Sequence, residues 1–274
     1  MVTTGRLTRN ELRSTAWHRL FADVYVCACV PATHATRAVA AAGTLLPGAV
    51  VSGRSAAVLW GLDAAGDRDD VELTVPPDGR VTATRGVRVR RRLLAAGAVT
   101  TRRGVPVTTA VTTALDLATG ESVVDEAVVL VDQVVARGLA TLTDIRAAAA
   151  AATGPGSRRA RQVVALADGL AGSPQETRLR LLFRRSPLPR PVAQHVVRDA
   201  AGFVARVDFG WPEQRVAVEY EGRWHGEHQQ VARDRRRLNR LTAAGWTVVF
   251  VTAEDLADPA QLLARVAAAL AVKR

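Results

Sequence analysis

Three acids stand close together on two short apolar segments, Asp208 in VARVDF and Glu219 and Glu221 in VAVEYE, and GRWH with Trp224 and His225 follows at once. A strand presents alternate side chains on one face, so Glu219 and Glu221 point one way and Val216, Val218 and Tyr220 the other. Acids are depleted in strands and like charges side by side repel, so this pattern calls for a compensating cation. A hard divalent metal, which takes oxygen ligands, answers that need. With 37 Lys and Arg in the chain, a guanidinium could instead neutralise the acids as a structural ion pair. The neighbouring histidine and the basic helix that follows favour the metal.

The elements that must position these groups are legible in outline. From Ser173 the order predicts a helix (174 to 185), strands near 194–198, 203–209 and 216–221, a basic helix (229 to 244), the strand WTVVFVT and a closing helix (259 to 272). Ser173 is placed to cap the first of these, and Glu176, three residues on, fits a capping box as well as a catalytic role. Upstream, LTRNELRSTAW reads as a helix start and FADVYVCACV as a strand, an order that suits a small winged-helix unit. Helical patterns at 37–46 and 52–62, strands at DVELTVP and GVRVRRRLL, the strand-to-helix run GVPVTTAVTTALDLA and a helical stretch over 121–152 complete this half. TGPGSRR is the strongest break in the chain. The expected fold is mixed α/β, divided into a first region (1–152), a linker helix (153–172) and a second domain (173–274).

At 274 residues and 48% hydrophobic content the chain can furnish two cores. No apolar run is long enough to span a bilayer and none reads as a signal peptide, so the expected compartment is the cytoplasm and no membrane partner is expected. A formal charge of +11 suggests a polyanionic partner. Nearly all of that charge is arginine, Lys273 being the one lysine, and a GC-rich coding sequence offers a second origin for such a bias. Cys27 and Cys29, the two cysteines, lie on same-face strand positions where an ordinary bridge does not form; they read as buried small hydrophobes.

SPQETRLRLLF, FVARVDFGWPEQRVAVEYEGRWHG and ARDRRRLNRLTAAGWTVVFVTAEDL together resemble the very-short-patch-repair endonucleases, and more closely their relatives called domain of unknown function 559, in the PD-(D/E)XK nuclease superfamily. The resemblance implies a restriction-endonuclease-like α/β domain in which Asp208 is the metal-binding aspartate, Glu176 the helix glutamate, and Glu219 and Glu221 the E-x-K pair, with Glu221 in place of the usual lysine. His225 matches a histidine of the repair enzymes. The ligands of their structural zinc have no counterparts, so no zinc is expected. Residues 1 to about 150 resemble the AbiEi-type antitoxins, through LTRNELR, DVYV, SGRSAAVLWGL, VELTVP and GVPVTTAVTTALDLA, which implies a winged helix followed by an α/β region.

On that basis Asp208 and Glu219 are assigned to Mg²⁺, with Mn²⁺ able to substitute, and His225 or Glu221 to the proton transfers of phosphodiester hydrolysis, the choice between them left open. Arg233, Arg236, Arg237 and Arg240 recur at helical spacing on one broad face that could grip a DNA backbone, or simply face water. Trp224 could stack on or wedge a base, or pack in a core. The expected activity is a Mg²⁺-dependent DNA endonuclease, with DNA as partner and a protein partner or second copy engaged through the N-terminal half. The competing expectations are a non-catalytic DNA-binding regulator of antitoxin type and, more weakly, an RNA-directed toxin.

Overall fold

The computed structural model describes residues 7–79, 81–200, 202–221 and 228–272, without the side chains of residues 9 and 228–234. The chain is mixed α/β and divides into two compact units, Met1–Ala167 and Asp168–Arg274. No helix among the described residues is long and apolar enough to cross a membrane.

The first unit opens with a four-residue helix α1 (Arg9–Leu12), closed at its start by a Thr8/Glu11 capping box. A hairpin follows, β1 (Trp17–Phe21) and β2 (Val24–Cys27). Its turn carries Asp23 at φ +58°, a conformation that Asp tolerates and that suits a tight hairpin turn. The expected continuous strand through Cys29 is thus two strands, the second ending at Cys27. Cys27 is half-buried and Cys29 exposed, which corrects the expectation of buried cysteines: Phe21 and Val24 are the buried core residues of the hairpin, with Leu20 packed partly against them.

Next come α2 (His34–Ala40), which runs into a π-helical turn at Ala41–Leu45, and then β3 (Val50–Val51), α3 (Gly53–Leu59), β4 (Val71–Val75), β5 (Val87–Arg91), β6 (Val99–Arg102), β7 (Val105–Thr108) and α4 (Ala110–Gly120). The sheet order is β5-β4-β3-β7-β6. The β6–β7 pairing, absent from the sequence expectation, turns at Arg103 and Gly104, both at positive φ. The helices α5 (Val124–Ala136), α6 (Leu142–Ala151) and α7 (Ser157–Leu166) end the unit. Ala160, Val163 and Val164 of α7 are buried, so the helix expected as a linker packs within this unit.

All five residues of β4 are buried, Glu72 among them. A buried carboxylate needs hydrogen bonds and counter-charge. The Arg54 amide donates to Glu72 Oε2 at 3.2 Å, and Arg90 stands 3.6 Å from the same oxygen. Gly53 makes the approach possible: at φ +56°, its missing Cβ would sit 1.6 Å from Glu72 Oε2.

The second unit begins with α8 (Pro174–Arg185), then β8 (Val192–Asp199), β9 (Gly202–Trp211), β10 (Val216–Tyr220), α9 (His228–Ala243), β11 (Thr247–Val251), α10 (Ala253–Ala257) and α11 (Pro259–Ala271). The sheet order is β11-β10-β9-β8, with β10 and β11 parallel and the other neighbours antiparallel. Leu179 and Phe183 of α8 and Leu262 and Val266 of α11 cover one face, against Phe209, Trp211, Val216 and Val218. Leu241 of α9 and Trp246 cover the other, against Val197, Ala205, Val207 and Ala217. The result is a three-layer α/β/α unit.

Gly53→Ala is expected to lower the unfolding free energy by about 2–3 kcal/mol, because it combines a left-handed backbone with a collision on a buried carboxylate. Thermal and urea denaturation of the purified chain check this; an unchanged midpoint contradicts it.

Candidate active site

Strand alternation fails at one position in β9. Ala205 and Val207 face the α9 layer whereas Phe209 and Trp211, of the same parity, face α8 and α11. The strand therefore changes faces at Asp208. Opposite it, the β8 register passes from His195↔Val207 to Ala193↔Phe209, and the intervening Gln194 takes φ +51° instead of an extended value. On the other side the β9–β10 pairing stops at Val218↔Phe209. Asp208 Oδ2 accepts the Tyr220 amide at 2.9 Å, substituting a side chain for the missing ladder bond.

Glu176 comes to the same place from the first turn of α8. Ser173 caps that helix through the Glu176 amide at 3.3 Å. The Glu176 carboxylate reaches back to the Gly172 amide at 2.8 Å and also accepts from Gln194 Nε2 at 2.9 Å. The Ser173 cap forms, but the Glu176 carboxylate does not close a capping box on the Ser173 amide; it goes to Gly172 and to Gln194 of β8. Burial raises the proton affinity of Glu176, and the Asp208 charge raises it further. Burial also raises that of Asp208, against the Tyr220 amide, the Arg237 charge and Gln194, which lower it. Among the described residues no guanidinium forms an ion pair with either carboxylate.

Glu219 is buried on the opposite face of β10 from Val218. Arg237 of α9 clamps it with both terminal nitrogens, Nη1 reaching Oε2 at 2.6 Å and Nη2 reaching Oε1. Arg237 also donates to the Arg206 carbonyl at 3.2 Å. The helix turn explains the geometry: Leu241, four residues on, is buried against the sheet, so Arg237 lies on the sheet-facing side of α9. The ion-pair alternative weighed for the acids therefore holds for Glu219.

Glu221 is exposed just beyond the end of β10, tied to the fold through its amide, which bonds the Val251 carbonyl at 2.8 Å. Trp224 and His225, and the side chain of Arg233, lie outside the described residues. Arg236, Arg237 and Arg240 line a cleft with Phe203 and Arg206, and Arg240 also donates to the Phe203 carbonyl. The structure thus brings Glu176 and Asp208 together and sets Glu219 against Arg237 beside an arginine-rich cleft. Gln194 and Arg206 were missed. Their signal, a polar residue amid the apolar run VAQHVV and an arginine two residues before the aspartate, is too common to single out.

The donor set of Glu176 and Asp208 suits a hard divalent cation: one buried and one half-buried carboxylate, the first pressed upward by the other's charge, both offering oxygen ligands. Among the described residues no group of three His, Cys, Asp or Glu gathers in a way that would hold a metal.

Neither a protein-family model nor a solved structure matches the chain. It is similar to two uncharacterized proteins of Mycobacterium tuberculosis, MT2308 from strain CDC 1551 / Oshkosh and Rv2248 from strain ATCC 25618 / H37Rv. Each is 38% identical over 110 residues, 39% of this chain and 41% of the relative, so the match spans under half the length of either.

The raised carboxylates carry a stability signature. A group with a raised folded pKa contributes stability that is present below its unfolded value, about 4 for these acids, and lost as pH rises through the folded value. Asp208→Asn, which keeps an acceptor for the Tyr220 amide, is therefore expected to raise stability at pH 7–8 by about 0.5–2 kcal/mol. The gain should shrink as pH falls toward 4. Melting curves across that range test it, and a variant that is destabilised at neutral pH contradicts it.

Proposed function

We propose that the second unit is a PD-(D/E)XK-type, Mg²⁺-dependent DNA endonuclease, preceded by an antitoxin-like region that starts as a winged helix and positions the nuclease. The observation that carries this reading is the pair Glu176/Asp208. Among the described residues, two carboxylates are held together in a partly buried setting without an arginine ion pair, whereas Glu219 receives a guanidinium. Carboxylates whose proton affinity burial raises despite their hydrogen bonds are a feature of sites more than of cores. The short helix and hairpin at the start of the first unit are compatible with a winged helix.

A bound divalent cation would neutralise phosphate charge and supply an activated water. Asp208 and Glu176 are the residues to hold it, in place of the Asp208 and Glu219 pair expected from the sequence, because Arg237 occupies both oxygens of Glu219. Gln194 orients Glu176, and the Tyr220 amide fixes Asp208. Arg236 and Arg240 draw the backbone phosphates into the cleft by charge and by two-pronged hydrogen bonding. Arg237 screens Glu219 and lends positive potential to Asp208. Glu221, at the open end of β10, can accept a proton; His225 keeps the same assignment on its sequence position.

The purified chain is expected to nick supercoiled plasmid with Mg²⁺ or Mn²⁺ and to stop with EDTA. Asp208→Ala and Glu176→Gln should each cost about 100-fold or more. Cleavage that survives both substitutions removes the site. Arg236→Ala should weaken DNA binding for all sequences alike and reduce the slope of log affinity against log salt by about 1, as read by fluorescence anisotropy.

A second reading, a non-catalytic DNA-binding regulator, draws on the Arg237–Glu219 clamp, which commits a motif carboxylate to a structural partner. It predicts the same salt-dependent binding and no cleavage of duplex, single-stranded or branched DNA, or of RNA, with either metal.

A further inference from the structure

We propose that Cys27 and Cys29 form a redox-active dithiol whose substrate is a low-molecular-weight disulfide. They are the two cysteines of a 274-residue chain, and they fall one residue apart. Both are free thiols, Cys27 half-buried at the end of β2 and Cys29 exposed in the turn that follows. Neither serves the first unit's core cluster, so packing does not account for them.

The local geometry departs from a strand in a way that favours ring closure. In extended chain, residues two apart are separated by about 6.7 Å, at the limit of what a disulfide spans. Here β2 ends at Cys27 and the chain turns: the Val30 amide bonds the Cys27 carbonyl at 2.9 Å, and the Ala28 amide is tied to the Ala16 carbonyl at 2.8 Å. The turn places the cysteines at its first and third positions and draws them together. The Cys29 amide donates to Cys27 Sγ at 3.3 Å.

That donation stabilises negative charge on one sulfur of the two. The Cys29 thiol, followed by the Cys29 amide, holds the Cys27 thiol below its ordinary range, while the same thiol contact pushes Cys29 up. The pair is thus asymmetric, with Cys27 the attacking thiolate and Cys29 the resolving thiol. Cys27 Sγ, having lost its proton, attacks one sulfur of the small disulfide; a mixed disulfide forms and the first small thiolate leaves. Cys29 Sγ then gives up its proton and attacks Cys27 Sγ, expelling the second. Two S–H bonds are lost and one S–S bond is formed. The two protons and two electrons end on the two small thiols. A ring enclosing one intervening residue is strained, which makes the bond readily reversible.

The test uses the full reduced chain, incubated with oxidised glutathione, acid-quenched and weighed intact. The expected product is a monomer lighter by two hydrogens, with no glutathione retained and both thiols lost together to a colorimetric thiol reagent; dithiothreitol restores them. Cys29→Ser should stop at one glutathione adduct on Cys27, and Cys27→Ser should react about tenfold more slowly. Accumulation of one or two adducts on the wild-type chain without closure, a disulfide-linked dimer, or no reaction under conditions that oxidise a free cysteine model would each overturn the proposal. Both positions lie outside the core cluster, and matching far-UV circular dichroism of the variants keeps loss of fold from mimicking loss of reactivity.

Discussion

Buried negative charge is the constraint around which both units are organised. Removing a carboxylate from water is costly unless hydrogen bonds and positive charge replace the solvent. In the first unit Glu72 and Asp116 are buried, and backbone amides at the start of α3 together with Arg90 and Arg92 compensate them. Glu219 in the second unit receives the forked clamp of Arg237. Glu176 and Asp208 are treated differently, with amides and a glutamine but no guanidinium partner among the described residues. That difference separates structural acids from candidate site acids more sharply than residue type does.

The departure from regular β-structure follows from the same need. A regular β9 would send Asp208 to one face and leave the Tyr220 amide to the ladder. Instead the strand changes faces at Asp208, Gln194 adopts a left-handed backbone, and the ladder stops so that the Asp208 carboxylate meets the end of β10 while its charge and Gln194 couple it to Glu176 of α8. Backbone strain of this kind persists only where the surroundings over-determine it. Here the surroundings are two apolar layers, Phe183 and Trp211 on one side and Leu241 and Trp246 on the other.

Local pattern carried much of the second unit. The Pro174 start, the Ser173 cap and the alternation of Val216 and Val218 against Glu219 are written in near neighbours, and they appear where expected. Short-range reading failed where a turn needed an unusual residue: Asp23 and Arg103 stand at positive φ and make hairpins that a scan for Asn-Gly or Gly-Gly passes over. It also failed for Cys27 and Cys29, because the apolar composition of the hairpin does not mean burial: Phe21 and Val24, with Leu20 packed partly against them, face the core.

The sequence by itself determined the order of the main elements of the second unit, the mixed α/β class, the basic character and the set of acids, because each depends on periodicity, capping or count over a few neighbouring residues. Tertiary structure alone decided which acid meets which cation. Residues 18 positions apart, Glu219 with Arg237 and Glu176 with Gln194, become hydrogen-bond partners only when helices and sheet pack. A charge written in the chain states what must be compensated; the partner depends on which side chains three packed layers bring within about 3 Å.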